Sequence, residues 1–299
     1  MPINLLLLIR QAAGSAQPSP DDRMRDEELV IADFIEAQAK AGFRPLAVER
    51  LIRVYGDSLN RMAQSEAAWW RSEVIEPAMA KGLNAEDMSA TDVSTNLSRL
   101  GDASVMAMYR AQQTRAWTTN IISGFEQMLA AAGLHSRLER PPAMCFLDIT
   151  GYTRLTQERG DEAAATLAGT LSRVVQRASV SHGGRAVKWL GDGVMVHFPD
   201  PGSGVLAALD MVDGVVSNGL PPAHVGLHAG PVLSQGGDYF GETVNLASRI
   251  ADYARPGEVL VTQEVVDASD EVRATFSPIG PVELKGISGV VALFAAHRG

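Results

Sequence analysis

Only one cysteine, Cys145, occurs in the 299 residues, so no intrachain disulfide can brace the fold and a disulfide scaffold is excluded. It sits in the apolar run Ala143-Met144-Cys145-Phe146-Leu147, where a buried core thiol is expected. Long hydrophobic runs are missing too. The stretch Ile3-Asn4-Leu5-Leu6-Leu7-Leu8-Ile9 falls far short of the roughly 20 residues of a membrane span, and no basic residue precedes it. The expectation is a cytoplasmic chain with no transmembrane segment, its apolar N-terminus packing on another part of the protein. Positive charge is scarce: 26 Lys and Arg stand against 35 Asp and Glu, a net charge of -9. From Ala143 onward 11 bases face 17 acids, and before it 15 face 18. Neither half is a basic surface for nucleic acid. Repeats and low-complexity tracts are absent. What is present, 46% hydrophobic and 20% charged residues, is the composition of a folded globular chain.

The length favours two domains. From Asp22 to Gly133 apolar residues recur at three and four spacing, broken near Gly42 to Pro45, Gly82 to Asn84 and Gly101 to Asp102, which predicts three to five helices. Asp102 is an N-cap candidate for a last helix running to about Ala132 and stopped by Gly133. Leu51, Val54, Tyr55, Leu59 and Met62 form one stripe, with Trp69 and Trp70 further along; its plain reading is core or helix-helix packing. Residues 1–134 are thus expected to be an all-α domain. The polar, then proline-rich segment 135–142 reads as a linker. Beyond it the pattern alternates. Strands are predicted at Met144 to Leu147, Ala186 to Leu190, Val194 to Phe198, Val225 to His228 and Val259 to Thr262. Helices are predicted at Arg154 to Val180, Gly204 to Val216 and from near Glu242. With Gly191-Asp192-Gly193 as a hairpin turn, that order is the βαββαβ arrangement of an α+β, ferredoxin-like domain over 143–299.

Asp148 ends the first strand and Asp192 sits in the tight turn joining the next two. If those strands are neighbours, both carboxylates leave the sheet at one edge, the oxygen donor set that Mg²⁺ or Mn²⁺ takes beside phosphates. Each has a plainer reading alone, Asp148 as a helix N-cap and Asp192 as a hairpin residue.

Four stretches in order resemble the class III adenylyl and guanylyl cyclases over Met144 to Phe294: Phe146-Leu147-Asp148-Ile149-Thr150-Gly151-Tyr152-Thr153; Lys188-Trp189-Leu190-Gly191-Asp192; Asp238-Tyr239-Phe240-Gly241-Glu242-Thr243-Val244-Asn245-Leu246-Ala247-Ser248-Arg249; and Val282-Glu283-Leu284-Lys285-Gly286. The resemblance implies two Mg²⁺ or Mn²⁺ ions per site held by Asp148, Asp192 and the Ile149 carbonyl. It implies that Asn245 holds the ribose, that Arg249 meets the α-phosphate and that Lys285 meets the terminal phosphates. Asn245 and Arg249, four apart, share one face of a helix, and arginine keeps its charge with several donors for a pentavalent phosphorus. The resemblance also implies that Lys188 and Asp238 read the base. Adenine offers an acceptor at N1 and a donor at N6, which a lysine and an aspartate satisfy, although hydrogen bonding alone leaves guanine open. The family pattern, with Glu and Cys usual in guanylyl members, favours ATP.

The resemblance further implies a head-to-tail homodimer with two sites at its interface, because each site takes its carboxylates from one chain and its base-reading residues from the other. One departure stands out: few residues separate Gly230 from Asp238, so the arm that many members extend across the dimer is short. The histidines, His182, His197, His224 and His228 among them, show no metal-ligand spacing, and Gly183-Gly184 reads as a turn. The expected function is an adenylyl cyclase forming cyclic AMP under control of the helical N-terminal half, a layout similar to actinobacterial cyclases. The alternatives are a guanylyl cyclase and a catalytically silent nucleotide-binding or dimerisation module, since the fold hosts many functions.

Overall fold

The computed structural model describes residues 3–12, 26–82, 92–132, 141–269 and 274–299, with Gly14 and Arg23 besides. The chain divides into two compact units, Met1–Arg137 and Leu138–Gly299.

In the first unit the described elements are α1 (Ile3–Ala12), α2 (Asp26–Lys40), α3 (Pro45–Trp70), a π-helical turn Arg71–Ile75, α4 (Glu76–Ala80) and α5 (Asp92–Ala131). Helix α2 stops at Gly42, where φ is 82°. The Phe43 N–H bonds the Gln38 carbonyl at 3.1 Å and the Gly42 N–H bonds that of Ala39 at 3.0 Å, a Schellman closure that glycine makes cheap. Pro45 then opens α3 at a position whose N–H needs no partner. The apolar N-terminus packs on this helix: Ile9 joins Ile35, Val48 and Ile52 in a buried cluster. Gly56 lets Ala12 come so close that a Cβ there would lie 2.8 Å from the Ala12 Cα.

Two expectations for this unit are corrected. Helix α5 runs unbroken through Gly101 and Asp102, so Asp102 is not an N-cap; one interior glycine costs about 1 kcal/mol, too little to end a helix with good formers on both sides. The stripe on α3 is also not core along its length. Tyr55 meets Tyr109 of α5, hydroxyl to hydroxyl at 3.5 Å, but Leu59, Met62 and Trp69 are 56%, 45% and 52% exposed, and the buried positions are Val48 and Ile52. The stop at Gly133, the residues after Gly82 at the second break and most of the linker lie outside the described residues.

In the second unit the elements are β1 (Ala143–Ile149), α6 (Tyr152–Arg159), α7 (Asp161–Ser181), β2 (Arg185–Leu190), β3 (Gly193–Phe198), α8 (Pro201–Ser217), β4 (Ala223–Ala229), β5 (Leu233–Gln235), β6 (Asp238–Phe240), α9 (Glu242–Tyr253), β7 (Val259–Thr262), α10 (Gln263–Asp267), β8 (Ala274–Glu283) and β9 (Val290–Arg298). Seven strands form one sheet, and its order begins β2-β3-β1-β4, the ferredoxin-like core expected from the βαββαβ pattern. It continues through β7, parallel to β4, to β9 and β8. The single helix expected over Arg154 to Val180 is two, parted at Gly160, whose φ of 80° no α-helix accommodates.

Period-two alternation sorts β1 between the two faces. Ala143, Cys145, Leu147 and Ile149 enter the main core with residues of α7 and α8, while Met144 and Phe146 join a second cluster that includes Ala247 of α9. Asp148 therefore belongs to the α9 face. Cys145 is fully buried, and burial pushes its thiol up to about 12.

Candidate active site

The β2–β3 hairpin presents Asp192. Leu190 pairs with Gly193, so Gly191 and Asp192 are the two turn residues, and Gly191 takes the positive φ of 75° that the first position of such a turn requires. Across the sheet Gly193 pairs with Asp148. A Cβ on Gly193 would sit 3.1 Å from the Leu147 carbonyl and 3.4 Å from the Asp148 Oδ1, so glycine keeps the space beside that carboxylate free. Asp148 Oδ1 accepts the Ile149 N–H at 3.0 Å. Burial first, and the negative charge of Asp192 second, hold the Asp148 carboxyl above its ordinary range, against the lowering influence of His224 and the Ile149 amide. Two like charges held close are an oxygen donor pair that fits a hard divalent cation, and Ile149, whose carbonyl is the third expected donor, ends β1 next to Asp148. No group of three or more His, Cys, Asp or Glu is gathered for a metal among the described residues.

Histidine spacing in the sequence gave no hint of His224, yet strand register pairs it with Asp148. Its Nε2 lies 3.9 Å from the Asp148 Oδ2, and its Nδ1 lies 3.3 Å from the Thr150 hydroxyl. The signal that would have found it is the pairing of β1 with β4, which no local motif encodes.

Lys188 and Asp238, 50 residues apart in the chain, form an ion pair at 2.9 Å. The other Asp238 oxygen accepts the Tyr239 N–H at 2.9 Å. Burial raises the Asp238 carboxyl, but the hydrogen bonds from Lys188 and Tyr239 and the Lys188 charge outweigh it and leave it below the usual range. The short arm foreseen before Asp238 is a hairpin of β5 and β6, turned by Gly236 and Gly237, both at positive φ.

Helix α9 buries Thr243, Leu246, Ala247, Ile250 and Ala251 and leaves Asn245 and Arg249 together on its open face. Its seat on the sheet is set by Gly226 of β4: a Cβ there would lie 2.2 Å from the Ala251 nitrogen and 2.6 Å from the Ala247 oxygen. The Thr243 hydroxyl donates to the Pro231 carbonyl at 2.7 Å and fastens the helix start. Arg249 rests on Asp252 at 2.7 Å. Lys285 is exposed in the turn after β8 and has no hydrogen bond or ion pair among the described residues.

The arrangement can hold a cation on two carboxylates, meet a heterocycle with a Lys-Asp pair and offer an amide and a guanidinium from one helix face. A family model for the adenylate and guanylate cyclase catalytic domain matches residues 138–297. The chain is 29% identical over 313 residues to the pH-sensitive adenylate cyclase of Mycobacterium tuberculosis, a match covering 99% of this chain and 75% of that protein. It is 31% identical over 163 residues to an adenylate cyclase of Streptomyces coelicolor, covering 54% of this chain and 42% of the relative. Among solved structures it is similar to the adenylyl cyclase CyaB from P. aeruginosa, with TM-score 0.47 and 24% identity over 54% of this chain and 95% of that one. With the family model covering more than half of its residues, this chain belongs to the adenylate and guanylate cyclase catalytic-domain family.

Proposed function

We propose that the protein is an adenylyl cyclase that converts ATP to 3′,5′-cyclic AMP and pyrophosphate. The observation that carries the reading is the pairing of Lys188 with Asp238 on a fold whose sheet edge joins Asp148 to Asp192. A lysine donor and an aspartate acceptor match N1 and N6 of adenine. In the reaction the ribose 3′-oxygen bonds to the α-phosphorus, its proton leaves, and the bond from the α-phosphorus to the bridging oxygen of pyrophosphate breaks. Asp148, Asp192 and the Ile149 carbonyl hold two Mg²⁺ or Mn²⁺ ions per site, which when bound lower the pKa of the attacking hydroxyl and neutralise phosphate charge. Asn245 orients the ribose. Arg249 meets the charge that grows on the α-phosphate oxygens, and Lys285 holds the terminal phosphates as a mobile point charge.

The working form is a two-fold homodimer in which the carboxylates of one chain face the base-reading pair, Asn245 and Arg249 of the other. Apolar residues left open near these groups support it: Leu233 and Phe240, cross-strand partners on the short arm, are 61% and 48% exposed, and Trp189 is 40% exposed. The helical unit regulates the cyclase. The Mycobacterium tuberculosis relative, which matches across nearly all of this chain, is described as pH-sensitive. Among the described residues no helix is long and apolar enough to cross a membrane, and a site that consumes ATP works on the cytoplasmic side.

The test is product formation from ATP and from GTP with Mn²⁺ or Mg²⁺, for the wild type and Asp192→Ala. Cyclic AMP from ATP that disappears in the variant is expected. No product from either nucleotide, with residues 1–142 present or removed, sinks the reading in favour of a silent nucleotide-binding module.

A further inference from the structure

The strand that carries Lys188 is irregular. In the pairing of β2 with β3, Arg185 faces His197 and Ala186 faces Val196, yet Lys188 faces Met195, so Val187 is an extra residue in a β-bulge. Regular alternation would put Arg185 and Lys188 on opposite faces; the bulge brings both to the face of Met195 and His197. Tyr239 of β6 sits on that same face. Its ring stacks on His197, centroids 4.6 Å apart and planes 6° from parallel. Its hydroxyl accepts a hydrogen bond from Arg185 at 3.0 Å, and the Arg185 guanidinium carbon is 5.4 Å from the ring centroid. The ring also packs against the cluster of Met144, Met195 and Ala247.

Strand β6 is three residues long and, among the described residues, pairs only with β5, too little hydrogen bonding to fix a side chain by itself. Two ties fasten it to the main sheet, this ring and the ion pair of Asp238 with Lys188, and only the ring is packed on a buried cluster. Asp238 is its immediate neighbour and takes the Tyr239 N–H on one oxygen and Lys188 on the other. We propose that Tyr239, stacked on His197 and tied to Arg185, is the positioning residue that sets Asp238 against Lys188 and thereby governs the choice between adenine and guanine. The inference rests on the adenylyl cyclase reading of the Lys188–Asp238 pair. It adds that the discrimination depends on groups behind the pair, because a base-reading pair loses selectivity when its supporting residues leave it loose.

The experiment compares kcat and KM for ATP and for GTP in the full-length wild type, Tyr239→Leu, Tyr239→Phe, Asp238→Ala and the double variant Tyr239→Leu/Asp238→Ala. Tyr239→Leu is expected to lower the ATP-to-GTP ratio of kcat/KM about tenfold, mainly through the KM for ATP. Tyr239→Phe keeps the ring on His197 and holds the ratio within about twofold of wild type. In the Asp238→Ala background the leucine substitution is expected to change the ratio no further, the non-additivity of residues acting through one another. An unchanged ratio in Tyr239→Leu, or a fall in kcat alone for both nucleotides, overturns the proposal. Should Tyr239→Leu fail to fold, His197→Leu removes the stacking partner instead, with the same expectation and the same refutation. Absence of cyclic nucleotide from the wild type defeats the cyclase reading separately; competition of ATP and GTP for binding with Mn²⁺, by equilibrium dialysis across the same variants, then decides the positioning role.

Discussion

Acidification acts on the second unit through His197, and the size of the effect follows from where the ring lies. It is mostly buried against Tyr239, and burial first, then the nearby Arg185 charge, lower its pKa from 6.5 to about 4. The unfolded chain takes up this proton near pH 6.5 and the folded chain only near pH 4. Between the two the unfolded state binds more protons, so stability falls as the pH falls and levels off below about 4. The gap corresponds to about 3 kcal/mol in full and to about 2 kcal/mol by pH 5. The perturbation is His197→Phe, which keeps a flat ring on Tyr239 and cannot take a proton. Urea unfolding at pH 7.5 and pH 5, followed by Trp189 fluorescence with Trp69, Trp70 and Trp117 replaced by Phe, reports on this unit alone. Asp148 and His228, whose pKa values are also shifted, titrate in both proteins and cancel in the comparison. The wild type is expected to lose about 2 kcal/mol more than the variant between the two pH values. Equal losses would refute the claim that His197 is held neutral.

Gly226→Ala puts a methyl group within 2.2 Å of the α9 backbone, and a loss of about 3 kcal/mol, seen as a lower melting temperature, is expected together with loss of cyclase activity; an unchanged melting temperature contradicts the close seat of α9. Arg249→Ala is expected to lower kcat about 100- to 1,000-fold with KM little changed, whereas Asp252→Asn, which removes only its resting partner, stays within a few-fold; comparable losses in both would assign Arg249 a structural part. Arg298 ties Asp210 and Asp213 of α8 to the end of β9, but it is half exposed, so Arg298→Ala is expected to cost under about 1 kcal/mol in urea unfolding. Burial raises the Asp210 carboxyl, but Arg298 and His182 outweigh it and leave it lowered; its share of that stability is present at neutral pH and fades only below about pH 4.

Sequence patterns reached the elements that obey a local rule. Alternation and the Gly191-Asp192 turn located the four strands of the ferredoxin-like core, and the spacing of Asn245 and Arg249 placed them on one helix face. Rules that depend on distant partners were out of reach. Strand β8 holds Pro278, Gly280 and Pro281, which argue against a strand, and survives because it is the sheet's edge, pairing among the described residues only with β9. The bulge at Val187 exists only relative to β3, so nothing local reveals that Lys188 and Arg185 share a face. Gly101 looked like a helix break because glycine is a poor helix former, but its roughly 1 kcal/mol is small beside the rest of a 40-residue helix. The Leu59, Met62 and Trp69 stripe has the periodicity of a packed face, and periodicity does not say whether its partner lies in the same chain.

The contact between Lys188 and Asp238 has a thermodynamic consequence for recognition. In the chain alone each group already satisfies the other, the ammonium standing where a purine amino group would donate and the carboxylate where a ring nitrogen would accept. On the proposed reading, adenine enters by exchanging partners, two bonds made for one ion pair opened, and gains little net affinity from the swap. A base that opens the pair but cannot donate to Asp238, the more buried of the two, strands that carboxylate, a penalty of about 1 to 3 kcal/mol. Such a self-occupied pair makes binding weak and rejection strong, which suits an enzyme whose substrate is abundant and whose nearest competitor differs by a few atoms.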